Sequence, residues 1–119
     1  MKKILLVDDE HSFLGILDMA LSKYFEIYTA TGVQEAIAIL KQNAIDLICS
    51  DLYMRDGTGV DLLREVKKYS RNISFILLSG SDYNLDIKMA EHYGATFIPK
   101  GEFDLIQQIV AFADNKKPT

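Results

Sequence analysis

The sequence predicts an α/β domain of the (βα)5 kind, built on a parallel five-stranded sheet. Three observations carry that prediction. Short apolar runs alternate with segments of helical periodicity from one end of the chain to the other. The runs show little polar alternation, as expected of strands covered by helices on both faces. Four of them stop abruptly at reactive or charged side chains: Leu6-Val7 at Asp8-Asp9, Ile48-Cys49-Ser50 at Asp51, Leu77-Leu78 at Ser79 and Ile98-Pro99 at Lys100.

Residues 4–7 form the first predicted strand. Phe13, Leu14, Leu17 and Leu21, with Ile16 as a further candidate, then recur at helical spacing, which gives a helix over about residues 12–23. Residues 26–30 make a second strand, less buried because it carries a glutamate and a tyrosine. A helix follows over residues 33–42, with Val33, Ala36, Ile37 and Leu40 on one face and Asn43 as its C-terminal cap. Residues 46–50 are the third strand. The loop 51–59 contains Asp56-Gly57, a strong turn dipeptide, and ends at Gly59. A third helix runs over about residues 60–69 with Leu62, Leu63 and Val66 inward, and residues 73–78 are the fourth and most apolar strand. Asp82 is the expected cap of a fourth helix that ends near Tyr93, where Gly94 stops it. Residues 96–99 are the fifth strand and about 103–113 the closing helix. Lys116-Lys117-Pro118-Thr119 reads either as a natural end or as the opening of a linker.

With 119 residues, half of them apolar and a quarter charged, the chain can bury one real core and is expected to be a single domain over residues 1–119. A net charge of −4 supplies no electrostatic reason to bind nucleic acid or an anionic membrane. One cysteine makes no internal disulfide, and Cys49 reads as a small core residue. Met1-Lys2-Lys3 and the apolar run after it imitate a signal peptide, but Asp8-Asp9-Glu10 interrupts the run too early, and no stretch is long enough to span a bilayer. The expected location is cytoplasmic.

In an open parallel sheet, ligands sit beyond the carboxyl ends of the strands. If the first and third strands are neighbours, about 4.8 Å apart, Asp8, Asp9 and Asp51 share one acidic pocket. Three carboxylates so close repel one another unless a cation joins them, and oxygen-only ligands favour a hard divalent ion such as Mg²⁺. Taken singly, Asp8 and Glu10 are ordinary helix-start acids, Asp51 a turn residue, Ser79 a turn serine before Gly80 and Lys100 a solvated lysine. Taken together at one rim they form a pocket for a phosphoryl group. In it Asp51 is the nucleophile, Lys100 and the metal neutralise oxygens, and Ser79 donates a hydrogen bond.

At these residues the chain resembles the receiver domains of bacterial two-component response regulators. The resemblance spans Lys3-Ile4-Leu5-Leu6-Val7-Asp8-Asp9-Glu10, Asp51-Leu52-Tyr53-Met54 with Gly59 eight residues after the aspartate, Leu77-Leu78-Ser79-Gly80, and Gly94-Ala95-Thr96-Phe97-Ile98-Pro99-Lys100. It implies a flavodoxin-like three-layer sandwich with strand order 2-1-3-4-5. It implies Asp51 as phosphoacceptor, Asp9 as a direct Mg²⁺ ligand, Asp8 as a ligand through water, and the Tyr53 backbone carbonyl completing the set. It also implies Ser79 as switch hydroxyl, Lys100 as partner of the phosphoryl group and Phe97 as the aromatic switch residue. The implied donor is a sensor histidine kinase or histidine phosphotransfer protein. A downstream effector or output domain would dock on the face made by the fourth helix, fifth strand and fifth helix, where His92, Tyr93, Tyr83 and Phe103 fall, and a phosphorylation-dependent dimer is a further implied partner. The expected chemistry is limited to the domain's own phosphorylation and dephosphorylation.

The chain departs from the family pattern at Gly101, at Arg55 and at Phe97, which lacks the hydroxyl of the tyrosine often found there. Gly101 follows Lys100 where the family has a proline joined by a cis bond. A cis bond to a non-proline residue costs about 3–4 kcal/mol, so Lys100-Gly101 is expected to be trans. Arg55 stands where the family often has proline, and its side chain either faces solvent or adds positive charge near the phosphoryl group. Tyr53 and Ser81 fall at positions flanking the path of the attacking water. His11 reads as a solvent-facing residue. Three other functions compete. A receiver-like scaffold that works without phosphorylation keeps the fold but needs none of the pocket. A small aspartate-nucleophile phosphatase of the haloacid dehalogenase type would need its second aspartate two residues on, whereas Asp8 and Asp9 are adjacent. A flavin carrier would need a glycine- and hydroxyl-rich phosphate loop where Asp8-Asp9-Glu10 stands.

Overall fold

The computed structural model describes residues 1–69 and 72–114, so Lys116-Lys117-Pro118-Thr119 lies outside the described residues. The strands are β1 (Lys3–Val7), β2 (Glu26–Ala30), β3 (Leu47–Asp51), β4 (Tyr53–Met54), β5 (Gly57–Thr58), β6 (Ser74–Ser79) and β7 (Thr96–Pro99). The helices are α1 (His11–Leu21), α2 (Val33–Gln42), α3 (Gly59–Tyr69), α4 (Leu85–His92) and α5 (Leu105–Asp114). Five strands pair in parallel in the order β2-β1-β3-β6-β7, which is the 2-1-3-4-5 order of the predicted (βα)5 fold. β4 and β5 form a separate two-stranded antiparallel ribbon that the sequence did not signal beyond its Asp56-Gly57 turn. Gly57, with φ +151°, takes a backbone conformation that a side chain disfavours.

The sheet separates two cores. Leu5, Val7, Ile48 and Leu77 face α2, α3 and α4 residues such as Ala36, Leu63 and Ile87, while Ile4, Leu6, Cys49, Ile76 and Leu78 face α1 and α5 residues such as Leu17, Leu21 and Ile109. Both faces being covered is the reason the strands lack polar alternation. Burial pushes the Cys49 thiol up to about 12, so it packs as an inert apolar residue.

Three local expectations need correction. Asp82 does not cap α4; the Asn84 side chain does, accepting from the Ile87 amide at 3.1 Å. Ile87 and Ala90 must both enter the core, and that requirement sets the helix start two residues later. Ile16 faces solvent rather than the core, because α1 buries Leu14, Leu17 and Leu21. Phe103 lies ahead of α5, which begins at Leu105, and is fully exposed. Asn43 caps α2 as expected, its side-chain amide donating to the Ile39 carbonyl at 3.0 Å. No cis peptide bond occurs among the described residues, in agreement with a trans Lys100-Gly101 bond.

Candidate functional site

The register of the sheet assembles the rim. Val7 lies opposite Ser50, so Asp8 and Asp9 leave β1 beside Asp51 at the end of β3. Asp51 lies opposite Leu78, so Ser79 is one residue further along the neighbouring strand, and Ser79 in turn lies opposite Pro99, just before Lys100. The Lys100 amide continues that pairing by donating to the Ser79 carbonyl at 2.9 Å. The end of β3 is packed tightly. A Cβ on Gly59 would stand 2.6 Å from the Asp51 carbonyl oxygen and 2.7 Å from Leu77 Cδ1, so only glycine fits there. The Gly59 amide then donates to the Leu52 carbonyl at 2.8 Å as α3 begins.

Asp8, Asp9 and Asp51 each present a carboxylate oxygen within 4.8 Å of the others. Asp8 is almost fully buried, at 2% exposure. Its Oδ1 accepts from the Glu10 amide at 2.9 Å, and its Oδ2 has no aligned hydrogen-bond donor. The charge on Oδ2 is met instead by Lys100 Nζ, 2.8 Å away, an ion pair whose geometry falls short of a directed hydrogen bond. Lys100 Nζ also lies 3.3 Å from Asp51 Oδ1, which accepts from the Leu52 amide at 2.9 Å. Burial pushes the Asp51 carboxyl above its ordinary pKa and the Asp8 charge adds to that, while Lys100 and the Leu52 amide oppose it. Burial alone would lower the Lys100 pKa, but Asp8 and Asp51 outweigh it and hold the ammonium above the usual lysine range.

An oxygen-only donor set, with a buried carboxylate oxygen lacking an aligned donor at its centre, fits a hard divalent cation. Asp8, Asp9 and Asp51 are the side chains that can hold one. Tyr53, whose backbone carbonyl the family resemblance implies as a ligand, is the first residue of β4, two beyond Asp51. Ser79 is buried, and its hydroxyl accepts from the Ser81 amide at 3.0 Å. Phe97 is half-buried on β7 and meets the exposed Tyr83 edge-on at 6.3 Å between ring centres, so it belongs to the flank of the rim rather than to the acidic group. The Arg55 side chain is exposed, and it is the Arg55 backbone amide that reaches the site, donating to Asp9 Oδ2 at 3.0 Å.

Three contributions went unseen in the sequence. Lys100 Nζ sits over the ring of Phe13, 4.5 Å from its centre. The Tyr53 hydroxyl donates to Asp86 Oδ2 at 2.6 Å, tying β4 to the first turn of α4. Asp56 accepts from the Val33 and Gln34 amides at 2.8 and 3.0 Å, tying the ribbon turn to the start of α2. Only Phe13 had a signal, its helical spacing with Leu17, and that signal is the one every core residue gives.

The family model for the response regulator receiver domain matches residues 4–111. Over 108 residues the chain is 32% identical to the response regulator SaeR of Staphylococcus aureus, covering 87% of this chain and 45% of that protein. It is 29% identical over 94 residues to a probable cyclic di-GMP phosphodiesterase of Vibrio cholerae, covering 77% of this chain and 21% of that protein. The chain thus spans less than half the length of these curated relatives. Among solved structures, the non-phosphorylated HemR receiver domain of Leptospira biflexa superposes with a TM-score of 0.90 at 25% identity, covering 100% of this chain and 99% of that one. A CheY-like receiver domain protein of Methanospirillum hungatei shares the fold with a TM-score of 0.88 at 24% identity, covering 96% and 94%.

Proposed function

The chain belongs to the response regulator receiver domain family, and from that premise we propose that residues 1–119 act as a phosphorylation-controlled switch with Asp51 as phosphoacceptor. The observation that supports this most is the convergence of Asp8, Asp9 and Asp51 within 4.8 Å, with the Lys100 ammonium 3.3 Å from Asp51. An Asp51 oxygen attacks the phosphorus of a phosphohistidine on a histidine kinase or phosphotransfer protein. The P–N bond breaks, its electron pair returns to the imidazole, and an acyl phosphate forms on Asp51.

Lys100 exchanges its carboxylate contacts for the transferred oxygens, and the Ser79 hydroxyl turns to donate to one of them. Asp8, Asp9, Asp51 and the Tyr53 carbonyl would hold Mg²⁺, which supplies neutralisation of charge on the phosphoryl oxygens. Phe97, flanked by Tyr83, reports the state of Ser79 to the face formed by α4, β7 and α5. Exposed Tyr83, edge-on to Phe97 of β7, and exposed Phe103, just ahead of α5, border that face, whereas Met89 and Tyr93 turn toward Arg64 of α3. The face is the docking surface for an effector, an output domain or a second phosphorylated copy. No helix among the described residues is long and apolar enough to cross a membrane, and a cytoplasmic site of action fits the donor.

Intact mass after incubation with Mg²⁺ and acetyl phosphate tests the proposal. Wild type is expected to gain a single phosphoryl group and Asp51→Asn none. An adduct retained by Asp51→Asn would move the acceptor elsewhere. Absence of any adduct on wild type with both acetyl phosphate and phosphoramidate would favour a scaffold that works without phosphorylation.

A further inference from the structure

We propose that Phe13 is a positioning residue for Lys100, its ring face holding the ammonium at the acidic rim while the carboxylates change partners. The inference rests on the phosphoacceptor reading above for its consequence, and on geometry for its substance. Lys100 Nζ lies 4.5 Å from the Phe13 ring centre, well inside the roughly 6 Å at which a cation is drawn to the negative face of an aromatic ring. Phe13 is half-buried near the start of α1, packed against the core below the rim, so its ring is fixed from behind.

Nothing else steers the side chain so steadily. The Lys100 backbone is anchored on one side by the hydrogen bond its amide donates to the Ser79 carbonyl. On the other side stands exposed Gly101, where a Cβ would meet nothing within 4 Å beyond its own chain neighbours. The remaining partners of the ammonium are Asp8 Oδ2 at 2.8 Å and Asp51 Oδ1 at 3.3 Å, the same groups that a divalent cation and a phosphoryl group would claim. A strongly hydrated divalent ion seeks oxygen ligands and leaves an aromatic face alone. Among the described residues, the Phe13 ring is therefore the contact of the ammonium that persists through the exchange.

A merely packing phenylalanine would depend on volume, whereas a positioning one depends on the charge distribution of its ring. Phenylalanine analogues carrying one, two or three ring fluorines at position 13 weaken the negative face with little change in volume. The expected result is a stepwise fall in the rate of adduct formation from acetyl phosphate at saturating Mg²⁺, roughly two- to tenfold across the series, with an unchanged Tm. A flat rate across the series would overturn the proposal. A second readout needs no phosphorylation. The ε-methylene protons of Lys100 should carry an upfield ring-current shift that Phe13→Leu abolishes and that survives addition of Mg²⁺ to wild type. No such shift, or its collapse on Mg²⁺ binding, would overturn the proposal as well. A wild type that takes no phosphoryl group would defeat the phosphoacceptor reading alone, leaving the Lys100 resonances to decide the role of Phe13.

Discussion

Tyr53 joins the rim to a helix through its hydroxyl. Its ring is about half exposed, at 47%, and its hydroxyl is fixed on Asp86 of α4. A ring anchored at its far end, two residues from the proposed acceptor Asp51, obstructs water more effectively than one free to swing. Tyr53→Ala is expected to shorten the life of the acyl phosphate severalfold, and Asp86→Ala to do so in part, read as loss of the adduct by intact mass over time. An unchanged decay in Tyr53→Ala would refute the barrier. At this scale the sequence exposed Asp8, Asp9, Asp51, Ser79 and Lys100, because a polar residue that ends an apolar run has few structural reasons to be there. It did not expose Phe13 or Asp86. An aromatic at core spacing and an acid in a helix's first turn are explained locally, and their partners lie 87 and 33 positions away, beyond any periodic pattern.

Among the elements, α2 shows how a loop and a helix start hold each other. Its N-cap is Gly32, which has no side chain to satisfy the first amides. Asp56 does so from the ribbon turn, through Val33 and Gln34, while Glu35 reaches back to the Thr31 amide at 2.6 Å. The Gln34 and Val33 amides hold the Asp56 carboxyl below its ordinary pKa. A carboxyl lowered by folding contributes stability that is present above the ordinary carboxylate range and is lost as pH falls through the lowered value. Asp56→Ala is expected to cost toward the low end of about 0.5–2 kcal/mol at neutral pH, since the carboxylate is exposed and screened. Denaturant melts at several pH values should show that difference shrinking under acid conditions; a pH-independent cost would mean that packing, not charge, is lost. The bounds of β2, α2 and β7 were legible because apolar spacing and turn residues agree there. The start of α4 was not, since Asp82, Asn84 and Asp86 are all competent caps and only the burial of Ile87 and Ala90 selects one.

For the whole molecule, the two cores on either side of the sheet hold the strand ends in register, so three like charges can be kept together at the rim. A cation that binds this native arrangement and not the unfolded chain stabilises the fold by mass action. Mg²⁺ at ten times its dissociation constant is expected to add about 1.4 kcal/mol, or roughly 6 °C in Tm for a domain of this size. Thermal melts at matched ionic strength check this, with Asp9→Asn expected to lose most of the gain; equal melting with and without Mg²⁺ would count against the metal site. The overall topology was legible because each apolar run is a complete strand, whereas the β4–β5 ribbon, two residues a side, is too short to show any pattern. The outer edge of the sheet carries a last consequence. Lys100 directs its amide toward β6, and amides alternate along a strand, so the residue before it would direct one outward. That residue is Pro99, which has no amide hydrogen to offer. The open margin of β7 is thus interrupted beside the functional rim, and a stray strand from another chain finds no continuous ladder on which to nucleate an aggregate.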